Sequence, residues 1–381
     1  MRTLEITQVR HLRMGAKCAD DCLPDAAKQG AHRVLAITTA SIAHLAHQIG
    51  ASGEQEGIAY RVFTAPDQEP TTEVLAQAIE AARNHKADFI IGIGGGSAMD
   101  IAKLVAVLAD GAQVLDEIVG IGMLRRRALP LACVPTTAGT GSEATPIAIV
   151  EDEREQLKKG VVSPHLVPDF AYLDAGLTVS MPRKVTAATG LDALTHCIEA
   201  YANRFAHPVV DAWALEGIAL IAAHLETACA EPENLAAREA MLRASHLGGL
   251  CLGPVNTAAV HALAYPLGGE FHVAHGVANS LLLPHVLRFT IEAAPHRYAA
   301  IAHAMGISDS GNAMRDGLAG VEEIERISAA IGIDRRLSEV GVGHNALPRM
   351  AAAAMSVQRL LKNNLRELTE QGALRIYQAA L

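Results

Sequence analysis

Three histidines, His261, His272 and His275, crowd into residues 261–276 of this chain. Upstream, Asp192 and His196 stand four residues apart, a spacing that stacks two side chains on one face of a helix. A carboxylate and neutral imidazoles together suit a divalent first-row metal such as iron or zinc. The two places are therefore expected to fold around one metal ion. Neither place alone carries that reading. The chain has 17 histidines, and an Asp and a His at this spacing can be a simple hydrogen-bonded pair.

A second set of residues suits phosphate. Gly92-Ile-Gly-Gly-Gly-Ser-Ala-Met-Asp100 follows a strand-like run, Asp88–Ile93, and a helical pattern continues through Ile101–Leu108. Glycines let the backbone turn sharply and approach a ligand, and the first N–H groups of a helix attract an anion. Ser97 is expected to cap that helix. The stretch is neither GxGxxG nor a P-loop, since no Gly-Lys-Ser/Thr follows. Three consecutive glycines exceed what a plain turn needs. A third stretch, Pro135-Thr-Thr-Ala-Gly-Thr-Gly-Ser-Glu143, closes the buried run Leu129–Val134. Thr136, Thr137 and Thr140 offer hydroxyls to a ribose or phosphate there.

These residues need elements to hold them. Arg33–Thr38, Ile58–Phe63 and Asp88–Ile93 read as strands, with helices at Ser41–Ile49 and Thr71–His85 between them. Thr71 or Thr72 is placed to cap the second helix. Such alternation builds a parallel sheet covered by helices. Asp152–Glu155 reads as a hairpin turn, with Lys158 and Lys159 after it as a solvated pair on a strand edge. Beyond Pro182, which suits a first helical turn, Ala/Leu-rich helical patterns take over. Gly190 is expected to end a short helix, with Leu191–Tyr201 forming the next. The resulting division is an α/β domain over 1–180 and an all-helical domain over 181–381.

Composition narrows the class. At 381 residues two domains are the natural expectation. Aromatics make up only 3%, so Ala and Leu fill the core and helix is favoured over sandwich or barrel. A formal charge of −9 argues against nucleic-acid binding. No apolar run approaches the length of a membrane span, and the N-terminus lacks a signal-like apolar region, so a cytoplasmic protein is expected. The six cysteines include no CxxC; Cys18 and Cys22 read as incidental.

Taken in order, Gly94-Gly-Gly-Ser97 with Asp100, Pro135 through Glu143, Ala188-Thr-Gly-Leu-Asp-Ala-Leu-Thr-His196, and His261 through His285 resemble the iron-containing (group III) alcohol dehydrogenases. The resemblance covers essentially the whole chain. It implies a Rossmann-like dinucleotide-binding domain followed by an all-helical metal domain, the plan also used by dehydroquinate synthase. It implies Asp192, His196, His261 and His275 as metal ligands, with iron expected and zinc accommodated. Gly94, Gly95, Gly96 and Ser97 become the pyrophosphate loop, with Asp100, Thr136, Thr137, Thr140 and Lys158 as further cofactor contacts. The cofactor is NAD or NADP and the substrate a small alcohol or aldehyde, in a homodimer or larger assembly.

The chain departs from the family at three places. Tyr265 stands where many members carry a histidine proposed to relay protons; a phenol is a poorer proton acceptor at neutral pH. Pro266 places the helix end at Tyr265. Tyr265 and His272 are then the candidates beside the substrate. Thr38-Thr39 replaces an aspartate that engages the adenosine ribose in NAD-preferring members, leaving NADP acceptable. Glu69 replaces an asparagine before Pro70-Thr71. Glycerol dehydrogenases and maleylacetate reductases share the fold, and a dehydroquinate synthase-like lyase is the more distant reading. The full ligand set opposes a maleylacetate reductase. A lyase for a phosphorylated substrate needs a basic cluster that these motifs lack.

Overall fold

The computed structural model describes residues 3–53, 55–154, 157–333 and 336–381. Two compact units divide the chain. One is Ile6–Thr137 with Gly141–Ser180; the other is Met181–Leu381 with Ala138–Thr140 and the N-terminal residues through Glu5.

The first unit is α/β. Its strands are β1 (His11–Met14), β2 (Arg33–Thr39), β3 (Ala59–Ala65), β4 (Phe89–Gly94), β5 (Gly120–Ile121), β6 (Leu131–Pro135), β7 (Ile147–Asp152), β8 (Leu157–Val162) and β9 (Phe170–Leu173). Five helices connect them: α1 (Cys22–Lys28), α2 (Ala43–Gly50), α3 (Thr72–His85), α4 (Gly96–Leu108) and α5 (Leu115–Ile118). Six strands form an all-parallel sheet in the order β1-β9-β6-β4-β2-β3. Alternation along the strands feeds two cores. Leu35, Ile37 and Ile90 pack on the α3 and α4 side. Val34, Ala36, Phe89 and Ile91 pack on the α1 and α2 side. Burial on both faces explains the unbroken apolar runs.

The strand order fixes where a ligand belongs. From β2 the chain passes through α2 to β3 on one side, then through α3 to β4 on the other. The carboxyl ends of β2 and β4 thus flank the point where the winding reverses, the usual ligand position in open α/β sheets. Thr71 caps α3 by accepting the Val74 N–H at 3.2 Å. At α4 the expectation fails: the N-cap is Gly95, and Ser97 lies inside the first turn with no capping bond.

A second sheet runs β5-β8-β7, with β7 and β8 antiparallel and Asp152 opposite Leu157. Of the expected turn at Asp152–Glu155, Glu155 lies outside the described residues. β5 pairs only with Val161 and Val162, so at Lys158 and Lys159 β8 is flanked by β7 alone, but the two lysines are ion-paired and not a free solvated pair. Lys159 bonds Asp116 at 2.8 Å and Asp152 at 2.7 Å, and Lys158 meets Glu69 at 3.2 Å.

The second unit is helical: α6 (Arg183–Tyr201), α7 (Pro208–Ala230), α8 (Leu235–Leu252), α9 (Ala259–Phe271), α10 (His275–Thr290), α11 (Pro295–Ala304), α12 (Ala313–Ile331), α13 (Leu347–Ala354), α14 (Gln358–Leu361) and α15 (Glu370–Ala380). α6 runs unbroken through Gly190, with Pro182 just before it as N-cap. A Cβ at Gly190 would lie 2.4 Å from Leu225 Cδ1 on α7 and 3.0 Å from Met241 Cε on α8. Glycine is here for close helix approach, and tertiary packing outweighs its propensity cost of about 1 kcal/mol. α7 is long and apolar enough to cross a membrane, a length that the sequence reading did not recognise. It packs against α6, α8, α11 and α12.

α9 also continues past the expected stop. Pro266 lies inside it, and Tyr265 sits in mid-helix. The helix ends instead at His272, whose left-handed backbone (φ 54°) forms the C-cap.

Candidate functional site

α6 carries Asp192, His196 and Glu199 at i, i+4 and i+7, one face of one helix. α9 supplies His261, and α10 opens on His275. α10 comes close to α6 because Gly276 lacks a side chain; a Cβ there would stand 2.5 Å from the Ala188 carbonyl oxygen.

The result is a convergent donor set. Nε2 of His196, of His261 and of His275 each lies 3.7 Å from Asp192 Oδ1. All four donor atoms fall within 4.8 Å of one another. Four donors about 2.0–2.2 Å from one ion, arranged as a tetrahedron, would be about 3.3–3.6 Å apart. The three Asp192–imidazole distances lie within a few tenths of an ångström of that range. Asp192, His196 and His261 are buried, and His275 is half-buried.

Protonation favours a cation. Burial first, then the neighbouring imidazoles of His196 and His275, hold His261 well below its ordinary value, so the ring is neutral at pH 7. Burial alone would raise the Asp192 carboxyl, but the three imidazoles and Asn279 outweigh it and hold it low. Asn279 Nδ2 donates to Asp192 Oδ1 at 2.7 Å and faces Nε2 of His261 and His275 at 3.1 and 3.2 Å. The amide hydrogens thus stand toward three donors as a cation would. Asn279 Oδ1 and His196 Nδ1 are buried without a hydrogen-bond partner among the described residues. One carboxylate and three imidazoles fit a divalent transition metal.

Glu199 was missed from sequence. Its Oε1 accepts the Val260 N–H at 2.6 Å, and Oε2 lies 2.6 Å from His261 Nδ1. With Asn279 donating toward Nε2, the ring proton belongs on Nδ1, which donates to Glu199. The Nε2 lone pair then points into the donor set, the carboxylate–histidine arrangement that orients metal ligands. Burial pushes the Glu199 carboxyl up to about 7.

Two expected neighbours differ in placement. Tyr265, one turn beyond His261, is half-buried, and its hydroxyl accepts from Arg359 at 3.5 Å. His272 is exposed and outside the four-donor group.

In the α/β unit the glycine loop lies at the carboxyl end of β4. Gly94 has φ +151°, and a Cβ on it would approach Ala98 Cβ to 2.8 Å. A Cβ on Gly95 would meet Thr137 at 3.3 Å. Thr136 N–H donates to the Gly94 carbonyl at 3.0 Å, joining the two loops. Thr140 belongs with the helical unit. Asp100 does not face outward: Oδ1 accepts the Ser142 hydroxyl at 2.6 Å and Oδ2 the Ile149 N–H at 2.9 Å. Buried Lys103 braces the same segment through Thr145 and the Ile147 carbonyl at 2.9–3.0 Å. Both residues position the threonine loop.

Thr39 and Ser97 line a small recess with Ala65, Gln68, Glu69 and Ile101. Sequence reading found no carboxylate at the end of β2, but the fold brings one. Asp67, just after β3, accepts the Ser41 N–H at 3.0 Å and its hydroxyl at 2.8 Å. Its slight burial works to raise the carboxyl, but hydrogen bonds from Ser41 and Thr39 outweigh that and hold it below the ordinary range.

Comparisons with known proteins come to the same place. Residues 10–175 match the family described as "Iron-containing alcohol dehydrogenase", and residues 186–381 match "Fe-containing alcohol dehydrogenase family, C-terminal". A long-chain-alcohol dehydrogenase of Geobacillus thermodenitrificans (strain NG80-2) is 40% identical over 377 residues, covering 97% of this chain and 94% of that protein. The solved structure of a 1,3-propanediol oxidoreductase superposes with TM-score 0.97 at 32% identity, covering all of both chains. That of a sulfoacetaldehyde reductase from Bifidobacterium kashiwanohense, in complex with NAD+, gives TM-score 0.89 at 27% identity over 100% of this chain and 99% of that one.

Proposed function

This chain belongs to the iron-containing alcohol dehydrogenase family, and we propose that Asp192, His196, His261 and His275 hold the metal of a nicotinamide-dependent alcohol–aldehyde oxidoreductase. The carrying observation is the equal 3.7 Å reach from Asp192 Oδ1 to three imidazole nitrogens. When bound, the divalent metal, taken as ferrous iron, supplies Lewis acidity toward a substrate oxygen, and the nicotinamide supplies or accepts a hydride. Overall, an aldehyde, NAD(P)H and a proton give an alcohol and NAD(P)+.

The protein's own part is position. Glu199 fixes the tautomer and tilt of His261, and Asn279 holds Asp192. The loop from Gly94 to Ser97 offers backbone N–H groups at the start of α4 to the cofactor's pyrophosphate. Thr39, Thr136, Thr137, Thr140 and Lys158 complete the cofactor contacts. Asp100, which the resemblance places with them, acts from behind by bracing the loop. Tyr265 lies toward the substrate, with His272 as the exposed candidate for proton exchange with solvent. The enzyme is taken to work as a homo-oligomer, which light scattering would establish.

The decisive experiment joins metal analysis of anaerobically purified protein to oxidation of reduced nicotinamide by aldehydes, with and without chelator. His261→Ala or His275→Ala should lose the metal and nearly all turnover yet still bind cofactor. Gly95→Val, which presses on Thr137 and fills the loop, should lose cofactor affinity and keep the metal. A histidine variant retaining both metal and activity would sink the assignment.

A further inference from the structure

Arg359, on the short helix α14, is half-buried, and its guanidinium meets the Tyr265 hydroxyl at 3.5 Å. Among the described residues it has no carboxylate partner. Arg83, Arg183 and Arg238 also lack a carboxylate partner, but each donates to carbonyl or hydroxyl oxygens at 2.9–3.2 Å, whereas among the described residues Arg359 has only the longer contact to Tyr265. A partly desolvated cation is costly to hold without an opposite charge.

Resting on the oxidoreductase reading above, we propose that Arg359 and Tyr265 form an anion subsite that selects aldehydes and alcohols bearing a carboxylate or sulfonate on the carbon chain. The guanidinium fork suits either group, which offers two oxygens in one plane or face. The Tyr265 hydroxyl supplies one more donor beside it. Tyr265 stands one helical turn from His261, so the substrate's reacting oxygen lies toward the donor set while its charged end turns to Arg359. A cofactor phosphate is the other anion that could reach such a pair. The substrate is favoured because α9 itself ties Tyr265 to His261, the end of the site where the substrate must sit.

Succinic semialdehyde and butanal, which share a four-carbon chain and differ in the terminal carboxylate, make the test. Wild-type enzyme should have the higher kcat/KM for succinic semialdehyde. Arg359→Gln should lower the ratio of the two kcat/KM values about ten- to a hundredfold, the range for losing a charged hydrogen bond, and Arg359→Lys should fall between. A binding arm needs no turnover: in calorimetry, metal-loaded Arg359→Gln should lose affinity for butyrate relative to butyramide, at unchanged metal content. A ratio unchanged within about threefold would overturn the proposal. So would a rise in KM for NADH alone, which would assign Arg359 to a cofactor phosphate. If wild-type enzyme reduced neither aldehyde, the oxidoreductase reading would fail, while the calorimetric arm would still decide whether Arg359 binds an anion.

Discussion

Glu199 Oε2 and His261 Nδ1 lie 2.6 Å apart in the buried heart of the helical unit, and this pair fixes which face of the imidazole is free. The other Glu199 oxygen is tied to the Val260 N–H, so the carboxylate is clamped at both ends. Glu199→Gln keeps the size but presents an amide. Metal affinity, read by chelator competition, should fall about ten- to a hundredfold, the usual cost of removing such a partner. An unchanged affinity would mean that His261 is oriented by packing alone.

Asp67 gives the second prediction. Its carboxylate sits with Thr39 and Ser41 at the carboxyl end of β2, where an adenosine ribose would lie. A negative charge there repels a 2′-phosphate, so the wild-type enzyme should prefer NAD despite lacking an aspartate in β2. Asp67→Asn should raise kcat/KM for NADPH relative to NADH by about tenfold, corresponding to roughly 1.4 kcal/mol. Equal change with both cofactors would remove Asp67 from the ribose corner.

What the sequence disclosed follows a physical division. Asp192 with His196, and the glycine run after β4, are local patterns whose geometry is set within one turn or one loop. Glu199 had the same local signal, three residues past His196, but a glutamate in a helix ordinarily reads as solvated surface. Asn279, four residues past His275, was hidden by the same ambiguity. Asp67 and Arg359 could not be found locally. Asp67 reaches Thr39 only because β2 and β3 pair in parallel, and Arg359 reaches Tyr265 across 94 residues. Gly190 and Pro266 misled because propensity argued for helix ends where packing keeps the helices whole.

A third prediction concerns acid stability. Asp316 is buried and accepts the Ser310 hydroxyl and N–H, with His303 Nε2 at 3.0 Å. The Ser310 hydroxyl above all, with His303 and the Ser310 N–H behind it, holds the carboxyl down to about 2 despite the opposing effect of desolvation. A carboxyl depressed in the folded state stabilises above its unfolded pKa of about 3.9, and that contribution fades as pH falls toward the folded value. Asp316→Asn should therefore unfold at lower urea than wild type at pH 6, with the gap narrowing below about pH 4. A gap independent of pH would show that Asp316 acts through shape and not charge.

Tyr265 carries the last prediction. The helix α9 continues through it, so its phenol is held on the His261 face and not released at a helix end. Its hydroxyl already accepts from Arg359, which leaves its own proton as a donor toward substrate. A donor of that kind positions an oxygen without taking its proton. Tyr265→Phe should then keep kcat on a neutral aldehyde within about fivefold, a cost near one ordinary hydrogen bond. Tyr265→Ala should shift preference toward bulkier substrates, because a large side chain leaves the pocket wall. If Tyr265→Phe lost most of its kcat at full metal content, the hydroxyl would belong to the proton path.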